Sequence, residues 1–308
     1  MSSTHAAEGL LLLHHGAPRQ AEEIPAFLAS VAGGRALPEA AVAEYRRRYR
    51  LCGGSPLPVE VERTVAALQA SLQTQTGRCT VTAGALHGEP TISAALRALA
   101  ERGVQRAAAV VLLPQYSAST VGRYLSRLDE AVQACAWSGE MTRVSSWATE
   151  PLLVAAFVEQ IGLALADLPA EETARTAVVF TAHSVPLSAL RAGDPFLAEL
   201  MATADAVARG AGLARWTMAF QSAGRAPGSW LGPSVGEVVE ELAAAGERRV
   251  LVVPIHFLFD NVETLYDLDV ALRQQAERLG LQLCRARAPN SSKLLVAAIA
   301  EVARRALA

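Results

Sequence analysis

Short apolar runs alternate along the chain with longer segments in which apolar residues recur every three or four positions. The short runs have no internal alternation, which is typical of strands buried on both faces of a parallel sheet. The longer segments have the spacing of amphipathic helices. Strands that alternate with helices of this length form βαβ units, so the pattern predicts an α/β fold with parallel sheets.

The predicted elements follow one plan that is used twice. The first half is predicted to contain strands at 9–15, 79–85, 106–114 and 142–147, with helices at 22–32, 92–101 and 121–134. After a helix at 152–166 and a connection at 167–176, the second half has predicted strands at 177–182, 215–221, 248–254 and 282–288 and helices at 234–245 and 292–307. We therefore expect two Rossmann-like domains, 1–150 and 151–308, each with a parallel sheet of about four strands and with a ligand cleft between them.

Composition excludes some classes of protein. The chain has 308 residues and carries 28 Lys and Arg against 30 Asp and Glu, so no positive excess exists to bind nucleic acid. Hydrophobic residues make up 51 % of the chain, but no apolar run approaches the ~20 residues that span a bilayer. Residues 1–9 lack the charged and apolar regions of a secretory signal. We expect a cytoplasmic protein without a membrane span, and a monomer.

The four cysteines give no sign of a metal site. They are far apart, and none stands in a C-x-x-C spacing, so zinc-ribbon and iron–sulfur sites have no support. Reduced thiols are predicted at Cys52, Cys79, Cys135 and Cys284.

A row of acids follows the strand at 248–254. Glu263 and Asp267 are four residues apart, so a helix that begins near Asp260 would place both carboxylates on one face. On a solvent-facing helix they would be two ordinary surface acids. Their position favours a site, because in open α/β sheets the ligand crevice lies where strands hand over to helices.

A histidine stands at the end of another predicted strand. His183 directly follows the run at 177–182, where a lone imidazole is often a hydrogen-bonded structural residue. With Glu263 at the equivalent edge, the two side chains could meet in one cleft. That pair suits either a nitrogen and oxygen site for Fe²⁺ or a base near neutral pH that an acid supports. A Ser-His-Asp hydrolase has less support, since no G-x-S-x-G motif occurs.

A Gly-rich turn follows a basic helix near residue 50. Its backbone N–H groups, the Ser55 hydroxyl and a guanidinium could hold a ligand carboxylate. The alternative is a plain loop between two helices. A dinucleotide-binding fold would need G-x-G-x-x-G after the first strand, where the chain has H-H-G-A-P.

Several segments resemble motifs of the ferrochelatase family. VVPIHFLFDNVETLYDLD at 252–269 is similar to the family's P-x-x-F-x-x-x-x-x-E-T/V-L-Y-D/E-x-D signature, and TAHSVP at 181–186 to its S/T-A-H-S-x-P strand end. FQSAGRAPGSWLGPS at 220–234 resembles its Q/S-S-x-G and P-W-L-x-P segment. The resemblance covers the whole chain and implies insertion of Fe²⁺ into a tetrapyrrole, in a cleft between two Rossmann-like halves.

The resemblance also implies roles for individual residues. His183 and Glu263 would lie at the porphyrin centre, where they would bind the incoming iron and help to remove two pyrrole protons. Asp267 would be a secondary acid. Fe²⁺ would be a substrate, and no tightly bound cofactor is expected. The cysteine ligands that hold a [2Fe–2S] cluster in many members are missing, so no cluster is expected either.

Within the family, the chain most resembles the soluble bacterial branch that uses coproporphyrin III. Porphyrin contacts are therefore implied at His15, Arg35, Arg48, Tyr49, Ser55 and Tyr124. The alternatives are a ferrochelatase that uses protoporphyrin IX, and a non-catalytic tetrapyrrole carrier in which His15 holds haem.

The chain also departs from the family pattern. The loop reads G-G-S-P where the family usually has G-G-x-S-P, which shifts the alignment of Ser55 by one residue. His15 stands where Tyr is common, Asn261 where His is usual, and His256 where a small residue is common. Ala271 interrupts an acid row that often continues beyond Asp267.

Overall fold

The computed structural model describes residues 7–76, 79–190, 193–224 and 229–308. Residues 225–228 of the FQSAGRAPGSWLGPS segment lie outside the described residues.

The first half forms a sheet flanked by helices. Its strands are β1 (Glu8–His14), β2 (Cys79–Ala85), β3 (Arg106–Val111) and β4 (Glu140–Val144). Its helices are α1 (Ile24–Val31), α2 (Glu39–Leu51), α3 (Leu57–Thr76), α4 (Ile92–Glu101) and α5 (Val121–Ala134). We call this unit the N-terminal lobe.

The second half repeats the arrangement. Its strands are β5 (Ala177–His183), β6 (Thr217–Gln221), β7 (Arg249–Val253) and β8 (Gln282–Arg285). Its helices are α7 (Ala170–Arg175), α8 (Phe196–Gly210), α9 (Val235–Ala244), α10 (Val262–Thr264) and α11 (Arg273–Arg278), and a π-helical segment, Leu265–Leu272, joins the last two. We call this unit the C-terminal lobe. Two further helices, α6 (Pro151–Leu165) and α12 (Lys293–Leu307), lie outside both definitions.

The two sheets have the same topology. All strand pairs are parallel, and the strand orders are β2-β1-β3-β4 and β6-β5-β7-β8. In each lobe the chain leaves its first strand to one side and returns to the other side with its third strand. This reversal opens a crevice at the carboxyl ends of β1 and β3, and another at those of β5 and β7. The predicted fold, two parallel four-stranded sheets flanked by helices, is confirmed.

The apolar core connects the two lobes. One cluster contains Leu10 and Leu12 of β1 together with Val178 and Phe180 of β5. Helix α12 ends the chain but packs against α3, α6, β3 and β4. The predicted domain boundary after residue 150 falls between β4 and α6, and it stays a prediction, since the core is continuous across that point.

Some element boundaries differ from the prediction. The strand predicted at 142–147 ends at Val144, because Trp147 turns back to the neighbouring strand and its indole N–H donates to the Val111 carbonyl at 3.0 Å. The predicted connection at 167–176 contains a short helix, α7, that the sequence pattern did not indicate. Pro169 precedes this helix, and Glu171 and Glu172 occupy its first turn, where negative charge stabilises a helix.

The described residues include no helix that is both long enough and apolar enough to cross a membrane.

Candidate active site

A cleft of about 1240 Å³ lies between the lobes, at the carboxyl ends of both sheets. Its walls come from the loops that follow β1, β2 and β3 on one side and β5, β6 and β7 on the other. Seven of the residues singled out from the sequence line it: His15, Arg48, Ser55, Tyr124, His183, Glu263 and Asp267.

His183 and Glu263 form an ion pair in this cleft. Strand β5 ends with His183, while Glu263 lies in the first turn of α10, which follows β7, the neighbour of β5. The distance from His183 Nε2 to Glu263 Oε1 is 2.9 Å. Their side chains are 36 % and 39 % exposed, so they line the cleft and are not sealed in the core. The two groups that the sequence placed at separate strand ends therefore meet.

The backbone fixes the imidazole of His183. Its Nδ1 lies 2.5 Å from the Ser184 carbonyl oxygen. Because a carbonyl oxygen only accepts, Nδ1 carries the hydrogen, and Nε2 is left to face Glu263.

The charges of the pair support each other. Burial disfavours charge on both groups, but the Glu263 carboxylate raises the pKa of His183 above its usual value. Burial likewise opposes ionisation of Glu263, yet the neighbouring imidazolium lowers the pKa of that carboxyl group below its usual range. Both shifts favour an imidazolium that faces a carboxylate as the resting form of the pair.

Asp267 lies one helical turn beyond Glu263 and is held by both lobes. The hydroxyl of Ser222 donates a short hydrogen bond to its Oδ2, and Arg48 of the N-terminal lobe lies 3.7 Å from its Oδ1. Ser222 follows β6 and has a φ of 61°, a left-handed conformation that costs energy for a residue other than glycine. Burial is the main reason that the pKa of Asp267 is raised.

The described chain offers no complete metal cage. No set of three or more His, Cys, Asp or Glu side chains in the described ranges is placed to share one metal ion. The His183 and Glu263 pair can contribute one nitrogen and one carboxylate ligand, which suits a borderline ion such as Fe²⁺. A metal with so few protein ligands can be passed on to another ligand.

On the opposite wall, His15 follows β1 and is exposed to the cleft. Its Nδ1 lies 3.2 Å from the Gly16 carbonyl oxygen, so its Nε2 is free, and its ring packs edge-on against His87 and Phe27. Gly16 has a φ of 85°, and a Cβ there would lie 1.7 Å from the His87 carbonyl oxygen. Only glycine therefore allows the turn that presents His15.

Arg48 and Tyr49 are neighbours on α2, but only Arg48 lines the cleft. The Arg48 guanidinium donates to Glu44 at 2.9 Å and stacks on Tyr266 of the other lobe, 4.4 Å from the ring centroid. Tyr49 is buried, and its hydroxyl lies within hydrogen-bond distance of the Pro18 and Arg19 carbonyl oxygens.

Three other predicted porphyrin contacts have different surroundings. Ser55 has a buried hydroxyl for which the described residues offer no hydrogen-bond partner. Tyr124 is buried in the cleft wall at the first turn of α5. Arg35 is exposed and lies outside the cleft lining. For Arg35 and Tyr49, a contact to the porphyrin stays a prediction that this geometry does not favour.

Arg123 and His256 also line the cleft, although neither was assigned a role in the site from the sequence. Arg123 is exposed in the first turn of α5, beside Tyr124, and only its position after a β3 loop could have indicated it. His256 is fully buried against Phe196 and Phe257, and within the described chain neither of its ring nitrogens has a partner. Burial lowers the pKa of His256 to about 3, so the ring is neutral.

Comparisons with known proteins agree with the fold. The structure of SirB from Bacillus subtilis with Fe³⁺ superimposes with a TM-score of 0.60 at 15 % identity and covers 98 % of this chain and 96 % of that one. A second structure, the sirohydrochlorin chelatase SirB in complex with cobalt, gives a TM-score of 0.57 at 14 % identity. The fold, two lobes around a cleft, is therefore similar to that of these chelatase structures.

Sequence similarity is more specific. The ferrochelatase family model matches residues 7–307. A ferrochelatase of Deinococcus radiodurans is 34 % identical over 303 residues, which is 96 % of this chain and 95 % of that protein. A coproporphyrin III ferrochelatase of Geobacillus kaustophilus is 30 % identical over 298 residues, with 96 % and 94 % covered. The chain belongs to the ferrochelatase family, the enzymes of haem biosynthesis that insert iron into a porphyrin.

Proposed function

We propose that the chain inserts Fe²⁺ into coproporphyrin III, with His183 and Glu263 as the catalytic pair. The observation that carries the assignment of the pair is their 2.9 Å contact in the interlobe cleft. For the substrate, support comes from relatives that are coproporphyrin III ferrochelatases and from the polar wall of the N-terminal lobe.

Metal insertion exchanges two pyrrole N–H protons for one Fe²⁺. The imidazolium of the resting pair first releases its Nε2 proton to solvent in the cleft. Neutral His183 then takes up one pyrrole proton at Nε2, and the Glu263 carboxylate beside it stabilises the imidazolium that forms. A second release to solvent lets His183 accept the other pyrrole proton in the same way. The same two side chains can bind Fe²⁺ before it enters the ring, because a neutral imidazole and a carboxylate are both ligands for this ion. Their incomplete ligand set favours transfer of the metal to four porphyrin nitrogens.

The macrocycle must also be bent, because its nitrogen lone pairs lie in the ring plane. Contacts far from the ring centre supply this strain energy, roughly a few kcal/mol. Arg48, Arg123 and the unpartnered hydroxyl of Ser55 line the cleft on the N-terminal side and suit the four propionates of coproporphyrin III.

Competition between two porphyrins tests the substrate. Equal concentrations of coproporphyrin III and protoporphyrin IX are offered with Fe²⁺ under anaerobic conditions, and both products are quantified. We expect faster metallation of coproporphyrin III. It has four carboxylates that can contact Arg48, Arg123 and Ser55, whereas protoporphyrin IX has two. Faster metallation of protoporphyrin IX would overturn the substrate assignment and leave the enzyme class intact.

The carrier alternative has one supporting observation, the exposed His15 with its free Nε2. A carrier would keep haem bound through His15 and would insert no metal. Turnover by the purified protein separates the two functions. We also propose a cytoplasmic monomer without a tightly bound cofactor or [2Fe–2S] cluster.

A further inference from the structure

Arg285 lies beneath the helix that carries Glu263, outside the cleft lining. Its side chain is only 6 % exposed, at the end of β8. The guanidinium contacts two carboxylates of the segment that contains Glu263. Nη1 donates to Asp260 at 2.7 Å, while Nε and Nη2 donate to the two oxygens of Asp269 at 2.8 Å each.

The two aspartates flank Glu263 in the chain. Asp260 ends the loop before α10, and Asp269 lies in the π-helical segment after it. Asp260 is itself fixed, because Asn290 donates to its Oδ2 at 3.0 Å and Ala288 N–H to its Oδ1 at 3.3 Å. The buried guanidinium of Arg285, at the end of β8, therefore contacts the chain both before and after Glu263.

The sheet connects Arg285 to His183. Arg285 is in register with Val252 of β7, and Val252 is in register with Val179 of β5, the strand that ends at His183. Backbone hydrogen bonds of the sheet thus fix Arg285 relative to the imidazole. The guanidinium in turn fixes the helix that bears the carboxylate.

We infer that Arg285 is a positioning residue that holds Glu263 at its working distance from His183. This inference rests on the proposed role of Glu263. A planar guanidinium can bind two carboxylates at once, whereas a lysine ammonium acts as a single point charge. Without Arg285, Asp260 and Asp269 lose the one cation that they share. Arg287 lies 3.9 Å from Asp260 and Arg273 lies 3.8 Å from Asp269, but each contacts only one of the two carboxylates, so the link across the helix turn is lost.

The test is a set of four variants in the full-length protein. Arg285→Met removes the cation, Arg285→Lys keeps the charge but not the fork, and Glu263→Gln tests the proposed function itself. Arg249→Met is the matched control. Arg249 lies at the amino end of β7, the end of the same sheet away from the cleft, where it is 18 % exposed and ion-paired with Glu172. For each variant, kcat, KM for the metal, coproporphyrin III affinity and thermal stability are measured.

We expect Arg285→Met to lower kcat about 10- to 100-fold, because a misplacement of about 1 Å can cost that much. Its affinity for the porphyrin should stay within about twofold, and Arg285→Lys should recover part of the rate. Arg249→Met should lose stability and keep a near wild-type kcat. If Arg285→Met does not fold, Arg285→Lys decides alone, with an expected loss of about 3- to 10-fold in kcat.

Two outcomes would overturn the inference. One is a kcat in the Arg285 variants that stays within twofold of wild type, and the other is a loss no larger than that of Arg249→Met. The Glu263→Gln arm separates this failure from that of the proposed function. A fully active Glu263→Gln protein would refute the catalytic role of Glu263, whereas an impaired Glu263→Gln beside unimpaired Arg285 variants would refute the positioning role alone.

Discussion

The two lobes share one topology but present opposite chemistry to the cleft. Strands β1 and β5 occupy the same place in their sheets. His15 directly follows β1, and its Nδ1 faces the Gly16 carbonyl oxygen. His183 ends β5, and its Nδ1 faces the Ser184 carbonyl oxygen. The lobes differ in the helix that follows the third strand. In the C-terminal lobe that helix supplies Glu263.

The corresponding helix of the N-terminal lobe, α5, brings Arg123 and Tyr124 to the cleft. Among the described residues of the N-terminal lobe, no carboxylate lines the cleft, whereas arginines and hydroxyl groups do. The C-terminal wall carries Glu263 and Asp267, with Arg278 at its far end. One repeated fold therefore supplies two kinds of surface. The carboxylates of the C-terminal lobe suit the metal and the protons, and the arginines and hydroxyl groups of the N-terminal lobe suit the propionates.

Separate replacement of His183 and His15 should give the largest difference between the two lobes. His183→Ala should lower metal insertion on the order of 10³-fold, because the proton acceptor is lost. His15→Ala should cost less than about 10-fold. Steady-state insertion rates with porphyrin affinity as the control decide the matter, since both variants should still bind the porphyrin. Equal losses in the two variants would mean that the lobes do not differ in the proposed way.

The pH dependence of insertion reports on the Glu263 carboxylate. His183 must be neutral to accept a proton, and Glu263 raises its pKa, so kcat/KM should rise with pH through a value above the usual 6.5. In Glu263→Gln, burial becomes the dominant influence and lowers the pKa of His183. The rising limb should therefore move to lower pH, and kcat should fall about 10²-fold. The pH dependence of Zn²⁺ insertion measures both effects. If the rising limb of kcat/KM stays at the same pH in Glu263→Gln, Glu263 does not set the pKa of His183.

The basic wall can be tested at Arg123. Arg123→Ala should raise KM for coproporphyrin III about 5-fold, which corresponds to the roughly 1 kcal/mol of a solvent-exposed ion pair. Its kcat should be unchanged. Arg127→Ala is the control, because Arg127 lies one turn further along α5, exposed and paired with Glu130. The same increase in both variants would show a general charge effect in place of a propionate contact.

The smallest effect concerns stability in acid. Burial lowers the pKa of His14 and His87 to about 4 in the N-terminal lobe and that of His256 to about 3 in the C-terminal lobe. The unfolded chain binds protons at these positions below about 6.5, so stability should be complete above that pH and fall as the pH drops toward 4.

His256→Phe isolates one of these three contributions. Because the ring nitrogens of His256 have no partner in the described structure, phenylalanine loses no hydrogen bond there. The decrease in Tm between pH 7 and pH 5 should be smaller in this variant than in wild type. An unchanged decrease would show that His256 is not the buried neutral group described here.

Much of this architecture could be predicted from residue patterns. The buried runs gave the strands, and their repetition along the chain gave two sheets of equal topology. The strand-end positions of His183 and Glu263 predicted that they would meet, because parallel strands bring their carboxyl ends to one edge. The spacing of Glu263 and Asp267 correctly placed both on one side of a helix.

Other features depend on contacts between distant residues, which the spacing of residues along the chain does not predict. A π-helix is defined by its i→i+5 hydrogen bonds, which side-chain spacing over a short segment does not reveal, so the π-helical segment was not predicted. Tyr49 lies next to Arg48 in sequence, yet its hydroxyl is directed to Pro18 and Arg19 by the packing of α2. The Arg285 cluster joins three segments that no local pattern relates.

The catalytic role of the pair can be examined in a crystal structure with coproporphyrin III bound. We expect the ring centre to lie beside His183 Nε2 and Glu263, with His15 on the other face and the propionates directed to the N-terminal lobe. A porphyrin bound elsewhere, or one whose nitrogens face away from His183 and Glu263, would contradict it.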